Sequence, residues 1–339
     1  MSDGSNDLLA TARTWLSRDG RVALATIVDT WGSAPVPVGG QMVIAGDTRF
    51  EGSVSGGCVE GEVITLAGEA LEDGRTRLVP FGVEDQAAWR VGLPCGGRIQ
   101  ILIERLTGES DEKLLNAMIE ARGKRRPMVI ATDTNTGERH VWRDAAEAAG
   151  DDDIAPRFSS GRSSLETRGG RSVFVHTRLP PPRIVIIGAT HIAQCLCELT
   201  RVAGYETLVV DPRTAFASPA RFPHAEIVTE WPQDVLPRIG LDAYTGLATL
   251  AHVEHIDDEA LLLATRAPCF YVGALGSRRN HARRVERLKA AGLSEAELAR
   301  INAPIGLDLG ATTPPEIAVS VMAEIVRHLR GARGKGAAA

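Results

Sequence analysis

The stretch RIVIIGATHIAQCLCELTRVAGYETLVVDPR, starting at Arg183, constrains the fold more than any other part of the chain. A short apolar run meets a tight turn, a helical pattern of about a dozen residues follows, and a second apolar run ends at Asp211. Two such runs joined by a crossover helix make a βαβ unit, whose strands must lie parallel. Further short runs at 226–228, 244–251 and 269–272 alternate with helical stretches at 257–265, 280–291 and 315–329. That alternation predicts a doubly wound parallel sheet.

The turn at the head of this unit also bears on binding. A dinucleotide fingerprint uses glycines to turn the strand, to let backbone approach a pyrophosphate and to pack the helix closely. Here Gly188 fills the first position, Thr190 the second and Ala193 the third. Thr190 places a branched side chain where phosphate would come closest, which weakens the case for NAD(P). Asp211, at the end of the second strand, stands where a carboxylate accepts from a ribose, with Arg213 beside it. His191 in the turn, like His252 and His255 further on, is read either as an anion donor or as a structural group. Gly276, Ser277 and Arg278 of GALGSRRN form a second glycine-containing turn backed by cations, a combination that holds phosphate. The competing reading is a Rossmann-like domain that binds no nucleotide.

Upstream, the three prolines of LPPPR fix an extended spacer at 179–182 and mark a domain boundary. Before it, apolar spacing predicts helices at 6–18, 60–71 and 111–122 and strands at 22–28, 42–45, 76–81, 99–104, 128–132 and 172–177. Residues 144–170 are poor in large apolar side chains and read mainly as loop. The expected architecture is α/β: a smaller N-terminal α+β domain over 1–178, a C-terminal Rossmann-like doubly wound parallel sheet over 183–330, and a flexible tail over 331–339.

Two cysteines sit in glycine turns, Gly56-Gly57-Cys58 and Cys95-Gly96-Gly97. Cys58 falls at the start of a helix, where free N–H groups and the helix dipole favour a thiolate. Reachable thiols suit soft metal or sulfur chemistry. The alternative is a pair of small buried residues at backbone corners. Glu60 and Glu62 at the same helix start face the dipole, which asks only a structural role of them. The five cysteines are an odd number without paired two-residue spacings, so neither a disulfide framework nor structural zinc is expected. No secretory start and no membrane-length apolar run are legible, which points to the cytoplasm and away from membranes. A net charge of −5 excludes a broad basic surface for nucleic acid. Basic runs at 122–126 and 278–287 read as solvated faces.

Taken in order, TWGSAPVPVGGQMVI, GSVSGGCVEGEV, GLPCGGRI, IVIIGATHIAQ, VVDPR, YVGALGSRRNHARR and INAPIGLDLGATTPPEIAVSVMAEI resemble the XdhC/CoxI family, the accessory factors of xanthine dehydrogenase and related molybdenum hydroxylases. The resemblance implies a chaperone, not a turnover enzyme. Such a protein binds the molybdenum cofactor, assists its sulfuration through a cysteine desulfurase and hands it to the apo molybdenum hydroxylase. It makes Cys58 and Cys95 candidates for contact with molybdenum or its sulfur ligand. The cofactor is then expected in a cleft between the cysteine turns and the carboxyl ends of the Rossmann strands, and a homodimer through the Rossmann domain fits the design. Thr190 and Ala251 depart from the family's usual glycine and threonine. An NAD(P)-dependent oxidoreductase is the alternative, and an empty Rossmann scaffold that binds a hydroxylase is a third reading.

Overall fold

Alternation along β1 (Arg21–Trp31) sends Ala23, Ala25 and Ile27 to one face and Val22 and Leu24 to the other, and both faces are buried. A sheet apolar on both sides needs a cover on each. In the computed structural model, which describes residues 7–32, 34–82 and 97–334, these covers are helices. α2 (Glu60–Asp73) lays Val63, Ala67 and Leu71 on the first face. α1 (Leu8–Asp19) and α3 (Gly108–Gly123) cover the second with Leu9, Leu16, Leu115 and Met118. β2 (Gln41–Ile44), β3 (Phe50–Gly52), β4 (Arg77–Phe81) and β5 (Arg98–Thr107) complete an antiparallel sheet of order β3-β2-β1-β5-β4.

A second antiparallel sheet, of order β7-β6-β9-β8, is built from β6 (Met128–Asp133), β7 (Arg139–Trp142), β8 (Ser164–Arg168) and β9 (Arg171–Arg178). It draws β8 from 144–170, a stretch read mainly as loop that is nonetheless packed. That stretch contains α4 (Arg157–Ser160) and β8, and it buries Ala148, Ile154 and Phe158 against Val129 and Val175. Its polar residues shape turns: Asp144 accepts from the Ala146 and Glu147 N–H groups, and Asp151 from those of Asp153 and Ile154. Arg157, itself buried, bonds Glu166 at 2.6 Å and Ser164 Oγ at 2.9 Å.

The chain divides between Pro180 and Pro181. The amino-terminal unit, although read as the smaller, is the longer of the two, as its expected bounds of 1–178 already require.

The second unit is a six-stranded parallel sheet. Its strands are β10 (Arg183–Ile187), β11 (Glu206–Val210), β12 (Glu226–Val228), β13 (Thr245–Thr249), β14 (Tyr271–Ala274) and β15 (Ile301–Asn302), in the order β12-β11-β10-β13-β14-β15. Ile184 and Ile186 face α5 (His191–Val202) and α10 (Pro314–Gly334). Val185 and Ile187 face α6 (Pro232–Ile239), α7 (Glu254–Arg266), α8 (Arg278–Ala290) and α9 (Glu295–Leu298). This is the expected Rossmann-like sheet, with its topological switch point between β10 and β13. α10 continues to Gly334, so the start of the expected tail is helical, and 335–339 lie outside the described residues. No helix among the described residues is long and apolar enough to cross a membrane.

Candidate functional site

Between β3 and α2 the chain winds around one carboxylate. Glu60 Oε1 accepts from Ser53 Oγ at 2.6 Å and from the N–H groups of Val54 and Ser55 at 3.1 and 2.9 Å. Its Oε2 accepts from Ser55 Oγ and from the N–H groups of Gly57 and Val59 at 3.0 and 3.2 Å. Burial alone would push this carboxyl up, but the two hydroxyls and the backbone donors outweigh it and hold it at about 2. Ser55 Oγ in turn accepts from the N–H groups of Cys58 and Val59, each at 2.9 Å. The donors expected to serve a Cys58 thiolate are therefore engaged by Glu60 and Ser55, and the charge answering the amino end of α2 is the Glu60 carboxylate.

Cys58 is a free, half-buried thiol packed against the core under α2. Gly57 at φ 113° has open space where a Cβ would stand, so glycine is needed there for its backbone conformation. Gly56 lies against Pro35 of the APVPVGG loop. Cys95 and Gly96 fall outside the described residues, and Gly97 is buried just ahead of β5.

At the switch point, Gly188 (φ 103°) is buried so close to Ala251 that a Cβ would come within 2.7 Å of the Ala251 Cβ and nearer still to its backbone. Thr190 caps α5, its hydroxyl accepting from the Ala193 N–H at 3.3 Å. His191 is exposed, with Gln194 Oε1 at 3.3 Å from its Nδ1. Asp211 is fully buried, and its oxygens are taken: by the Ala189 N–H at 2.8 Å, and by the Arg213 N–H, Nε and Nη2 at 2.9, 2.9 and 2.7 Å. Burial opposes ionisation, yet Arg213 and the two backbone donors hold the carboxyl below its ordinary range. No face of it is exposed to a ribose. Arg213 stacks on the Phe216 ring at 4.4 Å.

After β14, Ser277 is spent capping α8, accepting from the Asn280 N–H at 3.2 Å. Arg278 is exposed. Gly276 lies beside His252, whose own backbone is left-handed at φ 56°. The basic run 278–287 is only partly a solvated face: Arg284 is buried, and Arg287 bonds Asp258 at 2.6 Å and Glu254 at 3.0 Å.

Sequence reasoning passed over Asp257, which is fully buried near Arg284 with no well-formed hydrogen bond to either carboxylate oxygen. The Arg284 guanidinium is 3.7 Å away. Burial raises this carboxyl to about 6, with Arg284 pulling the other way. Because the folded value lies above the unfolded 3.8, stability is whole below pH 4 and falls as pH rises through about 6, by up to about 3 kcal/mol. Asp257→Asn is expected to flatten this step in denaturation midpoints measured from pH 4 to 7. An unchanged slope in the variant would refute the assignment.

Comparison with known proteins places both regions in described families. A model described as the XdhC Rossmann domain matches residues 184–325, and one for the XdhC and CoxI family matches 15–82. Cys95 to Gly97 lie outside both spans. The molybdenum cofactor insertion chaperone PaoD of Escherichia coli K12 is 29% identical over 325 residues, covering 96% of this chain and 89% of its own. A protein of Bacillus subtilis 168 described as a probable xanthine dehydrogenase subunit is 28% identical, covering 90% and 92%. A crystal structure described as a xanthine dehydrogenase from Bacillus halodurans shares the fold, with a TM-score of 0.71 at 22% identity over 95% of this chain and 96% of that one. Among the described residues, no group of three or more His, Cys, Asp or Glu is placed to hold a metal ion.

Proposed function

Because the chain belongs to the XdhC and CoxI family, we propose that it is an accessory factor of a xanthine dehydrogenase-type molybdenum hydroxylase. It binds the molybdenum cofactor as cargo, assists its sulfuration and delivers it to the apo-enzyme. The observation that carries this reading is the Cys58 loop, a half-buried thiol on backbone whose shape one buried carboxylate dictates. A soft sulfur donor suits molybdenum and its sulfur ligands, and fixing the loop in advance spares the ordering cost of binding. Gly57 leaves the neighbouring space open for cargo. Carrying and releasing a cofactor asks no turnover of the chain. A cysteine desulfurase supplies the sulfur and the apo-hydroxylase receives the product.

The NAD(P) alternative draws no support from Asp211, whose carboxylate is enclosed and fully bonded. The test is anaerobic incubation with molybdenum cofactor, removal of the excess, then molybdenum content and pterin fluorescence of the retained fraction. Wild type is expected to retain cofactor and Cys58→Ala to lose most of it, with Cys95→Ala run in parallel to test the second cysteine. Wild-type protein that retains none would reject the carrier reading; equal retention by Cys58→Ala would remove Cys58 from the contact.

A further inference from the structure

Within the amino-terminal unit, a cavity of about 250 Å³ opens at the end of β9. Its charged lining comes from two regions of the unit: Arg178 from β9, and Arg122 and Arg126 from the last turn of α3 and the segment after it. Arg122 is answered by Asp7, at 2.8 Å. The Arg178 guanidinium bonds Gln41 Oε1 at 2.8 Å, and among the described residues no carboxylate lies within ion-pair reach of it or of Arg126. Three guanidinium groups thus face a cavity edged by one counter-charge.

A cation withdrawn from water without a counter-ion is unfavourable. Arg178 shows the effect: burial, and then the charge of Arg122, push it down to about 10, with Asp7 pulling the other way. His176 beside it is driven to about 3 by burial and by Arg178, so at neutral pH it is an uncharged wall able to donate or accept one hydrogen bond. Leu9, Met118 and Met128 supply apolar surface, which strengthens polar contacts made in the cavity. The negative carboxyl end of α3 accounts for a basic residue at Arg122. It does not account for Arg178, which comes from a different element.

We propose that this cavity is a binding site for a small oxyanion, a phosphate or a phosphomonoester, gripped by Arg178 and Arg126 with Arg122 and Asp7 at its edge. Guanidinium forks match the geometry of phosphate oxygens. The volume lies just below the roughly 300–1,000 Å³ of pockets for larger organic ligands, which favours a compact anion. The site stands independently of the Cys58 loop and of cofactor handling.

Calorimetric titration of the full chain with inorganic phosphate and, separately, glycerol phosphate, at matched ionic strength in chloride, tests it. Saturable binding is expected, and tighter binding of the ester would identify the ligand as a phosphorylated metabolite instead of free phosphate. Arg178→Met and Arg126→Gln are each expected to weaken binding about tenfold or more. Arg178→Met should also raise the melting temperature in chloride, because it removes a cation whose loss of water Asp7 offsets only in part. Arg126 is exposed, so its variant keeps the test valid if Arg178→Met does not fold. Absence of saturable binding by either probe, or binding indifferent to both substitutions, would overturn the proposal.

Discussion

Glu60→Gln is expected to lower stability at pH 7 by about 3 kcal/mol, measured by urea denaturation, although the two side chains have nearly the same shape. Glu60 is buried and its carboxylate accepts from six donors at once. Glutamine puts an NH2 group where one oxygen stood, so N–H and O–H donors meet a further donor and lose their acceptor. The pH dependence follows from the depressed carboxyl. With a folded value of about 2 against an unfolded 4.5, the contribution is whole above about pH 4.5 and is lost as pH falls through 2. The gap between wild type and variant should therefore be constant near neutrality and narrow in acid. A second readout is local: without its anchor the loop opens more often, so Cys58 should alkylate faster in the variant. A variant with wild-type stability and wild-type Cys58 reactivity would show that the loop holds its shape without the carboxylate.

Glu60 also shows where sequence reading stops. A carboxylate at a helix start is legible, and so is its structural purpose. That its bonding partners are Ser53, Ser55 and the backbone of the loop before it depends on the chain reversing at Gly56 and Gly57, which spacing does not encode. The βαβ unit at Arg183 was legible because strands buried on both faces read as unbroken apolar runs. α6 was not, since Pro232 and Pro237 hide an eight-residue helix that still buries Val235 and Leu236. β15 has too few residues for any period. Low apolar content misled at 144–170, where a few well-placed residues, Ile154 and Phe158 among them, suffice once a sheet lies beneath them. In the Rossmann turn the motif positions were visible, but Asp211 is consumed by Arg213, its neighbour two residues on. The environment of Asp257 depends on burial and on tertiary contact with Arg284, neither of which spacing encodes.

Gly188→Ala is expected to destabilise the carboxyl-terminal unit by about 2–4 kcal/mol, read as a lowered melting temperature of the protein without ligand. Two penalties combine. At φ 103° an L side chain is strained, and the added Cβ would press into the backbone of Ala251, which cannot swing aside as a flexible side chain would. Gly276→Ala separates the two: its φ of 139° carries the strain, but the nearest atom, Asn280 Cβ, is at an ordinary 3.6 Å. It should cost less than Gly188→Ala by the share due to the clash. The contrast bears on function. In a nucleotide-binding turn the first glycine makes the tight turn and the second lets the backbone approach a pyrophosphate. Here Gly188 packs its turn against Ala251 and Thr190 fills the second position, so the loss should be the same with and without added NADH. A Gly188→Ala protein as stable as wild type, but deficient in nucleotide binding, would return the turn to the dinucleotide reading.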